Sequence, residues 1–170
     1  MPPPTPQTGH SAPVGFIKFP AVKGESWSEE HEGQIPIVSF RMGTEHTSGA
    51  KSEGGKQRSK VTVSDLMFTA VASTASPQLF IRSTHNKPFP TVILTLSEKN
   101  GPEVWDYLTI TMTDVIVSGY QLNMQNTYSE PLEEVALNFR KIEFKYTGAT
   151  KDNKPGSTSV TSYDAATGGP

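Results

Sequence analysis

The chain has 170 residues, 15 basic against 17 acidic side chains, a formal charge of −2 and no cysteine. That length fits one domain with a modest core, and a near-neutral balance argues against a nucleic-acid binder, whose phosphate contacts need clustered Lys and Arg. The missing thiols exclude disulfides, thiolate catalysis, iron–sulfur clusters and Cys-based zinc sites.

The opening "MPPPTPQTGHSAP" (1–13) is Pro-rich and reads as a flexible arm. It has no basic patch followed by an apolar run, and no stretch of 18 apolar residues occurs anywhere, so neither a cleavable signal peptide nor a membrane span is legible. A cytoplasmic protein is expected, and a route out that uses no signal peptide would leave the same sequence.

From residue 14 to 147 the pattern is that of strands. "VGFIKF" (14–19) comes first, then "QIPIVSFRM" (34–42), where Ile35 and Ile37 oppose Val38 and Phe40 and where Pro36, lacking an amide donor, suits an edge. Residues 43–60, "GTEHTSGAKSEGGKQRSK", form an 18-residue excursion with four glycines and no large apolar side chain. Such a length points to a working loop or a solvated one. "KVTVSDLMFTAV" (60–71) is the next strand. A short helix follows, with Ser76 as its cap, Pro77 at its first position and Leu79, Phe80 and Ile81 turned inward, stopped by "HNKPFP" (85–90). "PTVILTLSEK" (90–99) and "EVWDYLTITMTDVIVSGYQL" (103–122) are joined by "KNGPE", a hairpin connection. "EEVALNFRKIEFKY" (133–146) is the last strand, and 148–170, with no Leu, Ile, Phe, Met or Trp, is expected to be a disordered low-complexity tail.

The strands share a fault. Val135, Leu137 and Phe139 carry odd numbers, but Ile142, Phe144 and Tyr146 carry even ones. The same change occurs from Val61 and Val63 to Leu66, Phe68 and Ala70, and from Leu108, Ile110 and Met112 to Val115 and Val117. A slip of one residue turns side chains to the other face, and a bulge is the usual way to keep the core side inward. The fold class predicted is therefore all-β: a small antiparallel β-barrel of long bent strands, capped by one short α-helix. The plainer alternative is that each long strand is two shorter ones.

Chemistry is hard to find. His10, His31, His46 and His85 are scattered, with only Glu45 beside His46. There is no GxSxG or GxGxxG, and "SEGGKQRS" (52–59) fails as a phosphate loop because Gln57 stands where magnesium needs a hydroxyl. Asp106 and Asp114 could face Glu133 and Glu134 across a sheet, but glycoside chemistry needs one carboxyl raised inside a cleft. No catalytic, metal or cofactor site is assigned, and no enzyme is expected. Two long apolar-sided strands, "HEGQIPIVSF" and "EEVALNFRKIEFKY", do invite edge pairing, hence self-association.

In "IKFPAVKGES" (17–26), "HEGQIPIVSF" (31–40), "SDLMFTAVASTASPQLF" (64–80), "DVIVSGY" (114–120) and "PLEEVALNFRKIEFKY" (131–146) the chain resembles the Hcp family, the hemolysin-coregulated tube proteins of the bacterial type VI secretion system. The resemblance implies a barrel with one helix that forms a homohexameric ring. Rings stack into a tube, with a spike protein at its tip and a contractile sheath around it, and small secreted effectors travel in the lumen with the tube protein as chaperone. It implies secretion without a signal peptide, a part in virulence, no cofactor, no nucleic acid and no membrane insertion. Carried onto this chain, the family's extended loop corresponds to 43–60, and subunit contacts are expected at Ile35, Ile37, Glu45, His46, Lys51, Glu53, Lys56, Arg58, Lys60 and Gln78. The Pro-rich start and the twenty-odd residues past Tyr146 depart from many relatives, and neither is large or apolar enough to be a fused toxin domain. A tail-tube subunit of a phage-like contractile particle, or a monomeric β-barrel binding module, are the competing readings.

Overall fold

The computed structural model describes residues 14–47, 60–125 and 130–170; the Pro-rich start, 1–13, lies outside them. β1 (Gly15–Lys18), β2 (Ile35–Ile37), β3 (Ser39–Arg41), β4 (Thr44–Thr47), β5 (Lys60–Val63), β6 (Leu66–Val71), α1 (Ser76–Ser83), β7 (Phe89–Asn100), β8 (Glu103–Asn123), β9 (Leu132–Ala149) and β10 (Pro155–Asp164) follow in chain order. The main sheet runs β2-β1-β7-β8-β9-β6-β3, all antiparallel. Its two ends are one piece of chain. β2 pairs with β1 and β3 pairs with β6, and at Val38 between them the backbone changes partner, its N–H reaching Thr69 O at 2.7 Å. Residues 34–42, expected as one strand, therefore divide in two, and that division draws the barrel shut.

Inside lie Ile17, Ile37, Leu66, Phe68, Leu94, Ile110, Met112 and Leu137, all essentially without exposure. The phase change is real: Phe139 and Ile142 are both buried, as are Met112 and Val115 opposite them. Its mechanism differs from a bulge. Pairing runs without a slip through Met112–Ile142, Thr113–Lys141 and Val115–Phe139, so both strands change phase at the same level. The device is Asp114, at φ 52°, in the left-handed region that Asp tolerates better than most side chains. Arg140 donates Nε–H to its Oδ2 at 2.7 Å and locks the kink. Register shifts fall elsewhere, between Leu96 and Ser97 and between Val117 and Gly119. Phe144 and Tyr146 pair with Ile110 and Leu108 and so share their face, but at the rim, where they are 38% and 48% exposed. For 60–71 the plainer alternative is correct, because Ser64 and Asp65 separate β5 from β6.

Two further expectations are corrected. Ala75 occupies the helix-cap position, Ser76 is the first helical residue, and its Oγ accepts the Ser73 N–H at 2.8 Å. Only Leu79 is buried, while Phe80 and Ile81 are exposed. Three consecutive positions fan over roughly 200° of a helix, more than one contact face can cover. The tail is not disordered throughout. Pro155–Asp164 pairs with Ala149–Lys141 of β9, Thr158 hydrogen-bonds Thr147, Tyr163 packs on the core, and Arg140 donates to Asp164 Oδ2 at 2.8 Å. An existing strand edge supplies a backbone ladder that a tally of apolar residues cannot anticipate. Arg140→Ala is expected to speed hydrogen exchange at 162–165 while leaving the melting temperature nearly unchanged; unaltered exchange would mean that backbone pairing alone holds the end of β10.

Candidate assembly surface

The excursion read from 43–60 is in part a second, two-stranded sheet. β4 and β5 pair in the register Thr44–Val63, Glu45–Thr62 and His46–Val61. The arm leaves the barrel through a stiff root. Ser64 N–H reaches Gly43 O at 2.9 Å, Gly43 N–H reaches Ser64 Oγ at 2.9 Å, and the next residue, Asp65, accepts from Ser118 Oγ on β8 and Asn138 Nδ2 on β9. Of the described arm residues only Val63 touches the core cluster, whereas Glu45, His46 and Val61 face solvent.

The predicted contact residues separate into three groups. Glu45, His46 and Gln78 are exposed, the last on the outer side of α1 with Phe80 and Ile81. Lys60 begins β5, and Lys51, Glu53, Lys56 and Arg58 lie outside the described residues. Ile35 and Ile37, at 2% and 0% exposure, have their side chains in the barrel interior. Among the exposed apolar groups that the pattern did not reveal are Trp27, Leu122 and Met124. A side chain following a strand or standing at a loop tip has no periodicity to betray it.

The four carboxylates considered for chemistry are not brought together. Asp114 binds Arg140, and Asp106 accepts from Ser97. Glu133 lies buried among Ser76, at the start of α1, and Tyr120, whose hydroxyl donates to its Oε2 at 2.9 Å. Burial pushes the Glu133 carboxyl above its ordinary value against the opposing pull of both hydroxyls, and burial followed by the carboxylate contact pushes Tyr120 up to about 12. A carboxyl raised in the folded state contributes its full stability below the unfolded value of about 4.3 and loses it as pH climbs through the folded one. The melting temperature should accordingly fall through that window, and Glu133→Gln, which keeps an acceptor for Tyr120, should flatten the fall; an unchanged profile would place the titration elsewhere.

His31, Ser97 and Asp106 meet as well, although nothing in their spacing announced it. His31 Nε2 is 2.7 Å from Ser97 Oγ, and Ser97 donates to Asp106 Oδ1 at 2.8 Å. The composition is that of a hydrolase triad, but the connectivity is not. One imidazole nitrogen faces both partners, and the serine proton is held by the aspartate, so His31 cannot act as a base oriented from its far side. The trio fastens the β1–β2 loop to β7 and β8. Among the described residues no group of three or more His, Asp or Glu side chains could hold a metal ion.

Such an architecture, a bent antiparallel barrel capped by one helix and extended by a free-standing arm, defines a tail-tube-like β protein. The family profile described as type VI secretion system effector, Hcp, matches residues 16–146. Protein hcp1 of Pseudomonas aeruginosa is 30% identical over 131 residues, which span 77% of this chain and 81% of that protein. Among solved structures, Hcp1 from Salmonella typhimurium superposes with a TM-score of 0.76 at 26% identity over 94% of this chain and 99% of its own. A type VI secretion system effector from Yersinia pestis gives 0.71 at 25% over 89% and 99%. The chain belongs to the Hcp family, and its role is that of a structural tube and carrier protein of type VI secretion, not of an enzyme. The superposition over 94% of the chain extends beyond the 16–146 matched by the family profile.

Proposed function

We propose that the chain is the subunit of a six-membered ring that stacks into the inner tube of the type VI apparatus. A surrounding sheath drives the tube outward behind a spike protein, and small effectors ride in its lumen with the subunit as chaperone. Assembly takes place in the cytoplasm, and export needs no signal peptide because the apparatus itself expels the tube.

The observation that carries this reading is the arm. Its root is hydrogen-bonded to β8 and β9, and of its described residues only Val63 reaches the core, which supports an arm held out toward a neighbour. An arm on one face meeting a different face of a second copy makes a heterologous contact, the kind that closes rings or extends stacks. Glu45, His46, Lys51, Glu53, Lys56, Arg58 and Lys60 on the arm, and Gln78 on α1, are the proposed contact residues.

Deleting 47–57 should leave a folded barrel by circular dichroism while annuli and cylinders vanish from electron micrographs. Intact stacking in that variant would remove the arm from the mechanism, and a wild-type chain that stays monomeric at high concentration would remove the tube.

A further inference from the structure

The loop between β1 and β2 is held firmly. Gly24 N–H reaches Gly33 O at 2.8 Å, Ser26 N–H reaches Gln34 O at 3.0 Å, and Gly33 N–H reaches Ser26 O at 3.1 Å. His31, 3% exposed, stacks on Phe16 at 4.3 Å between ring centroids and is tied to Ser97. These bonds hold the base of a turn whose tip carries Trp27, 85% exposed. An indole left in water contributes nothing to the fold, whereas a rigidly presented Trp is a frequent anchor in binding hot spots.

Next to that tip lies an open cleft of about 440 Å³. Glu29, Glu30 and Glu98 stand on its walls against Lys99, with Phe16 and Val104 as apolar lining. His31 lines it too. Because Ser97 gives its one proton to Asp106, His31 Nε2 must be the donor to Ser97, and the ring's other nitrogen is Nδ1. That atom is buried and has no hydrogen-bond partner. The carboxylates of Glu29, Glu30 and Glu98 outnumber the one ammonium of Lys99, so the cleft walls carry net negative charge.

We propose that this cleft and Trp27 receive the arm tip of a second copy, with Lys51, Lys56 and Arg58 set against Glu29, Glu30 and Glu98 and their aliphatic stems covering the indole. This rests on the tube-subunit reading and says where the arm lands. Charge selects the occupant: residues 48–59 carry Lys51, Lys56 and Arg58 against Glu53 alone. Position selects a second copy. The cleft sits on β1, β7 and β8 and the arm springs from β3 and β6, so the two patches differ and their contact can repeat from copy to copy.

Sedimentation velocity on the full chain at low salt tests it. Glu29→Lys with Glu30→Lys, and separately Lys56→Glu with Arg58→Glu, should each weaken self-association about tenfold, and a chain carrying all four substitutions should recover most of the loss. Trp27→Ser should weaken it without a change of charge, and in a Trp105→Phe background the emission of Trp27 should shift to the blue as concentration rises. Glu29, Glu30 and Trp27 are solvent-exposed and Lys56 and Arg58 lie on the arm, so melting curves of those variants should overlay that of their parent chain. Reversals that leave association unchanged, a four-fold variant no better than its parents, or a blue shift independent of concentration would overturn the docking. If tip deletion still abolished stacking in that case, the tube reading would stand with the arm seated elsewhere; if the wild type never associated, the tube reading itself would fall.

Discussion

Phe68→Ala is expected to cost about 3–5 kcal/mol, the range for deleting a large aromatic side chain from a packed interior. Phe68 is 1% exposed and sits opposite Phe40 of β3 and Val135 of β9, at the seam where the barrel closes. Its ring lies 6.2 Å from Phe19, which contacts Phe89 at 5.2 Å, so the aromatic group joins β6 to the far wall. In a chain of this size the loss should lower the melting temperature on the order of 10 °C, and chemical denaturation should show the same change with an unaltered slope. A cost below about 1 kcal/mol would mean that the seam is loosely packed and that closure rests on backbone pairing instead.

Gly24→Ala should be nearly as damaging, through a different cause. A methyl group there would stand 2.3 Å from Gln34 O, 2.4 Å from Gln34 C and 2.6 Å from Ile35 N. All three are backbone atoms of the strand entry, so no side chain can swing aside. Overpacking of this kind costs about 1–3 kcal/mol and more where backbone must move, and relief requires the loop to lift off β2. That would break the Ser26–Gln34 bond and loosen the seat of His31. Self-association should then fall together with stability. Gly33→Ala is the control: nothing lies within 4 Å of its new Cβ, and the φ of 69° costs only about 1–2 kcal/mol of strain. Equal effects from the two substitutions would show that strain, not collision, governs the loop.

The long strands were legible because their side chains repeat with period two, and a half-buried sheet imposes that period on sequence. Even the mid-strand phase change could be read, since Phe139 and Ile142 had to be buried from opposite parities. The device behind it could not: Asp114 in the left-handed region leaves no mark that distinguishes it from an ordinary polar residue. The helix was found through Ser76 and Pro77, but its buried face was overestimated by two residues. The expected contact residues came from family resemblance, since strand periodicity reports that side chains such as Ile35 and Ile37 are buried without saying against what.

Composition and periodicity by themselves determined that this chain is an all-β barrel with one helix and no cysteine chemistry, because burying apolar surface on a pleated strand is a local demand that each segment must meet alone. Tertiary structure decided the rest. It ordered an almost wholly polar segment as β10 by offering it the edge of β9, divided one apolar run at Val38 to close the ring of strands, and brought His31, Ser97 and Asp106 together across 75 residues of chain to hold Trp27 in solvent. These are pairings between separate elements, whose free energy depends on which partner arrives, and side-chain periodicity within one segment does not name that partner.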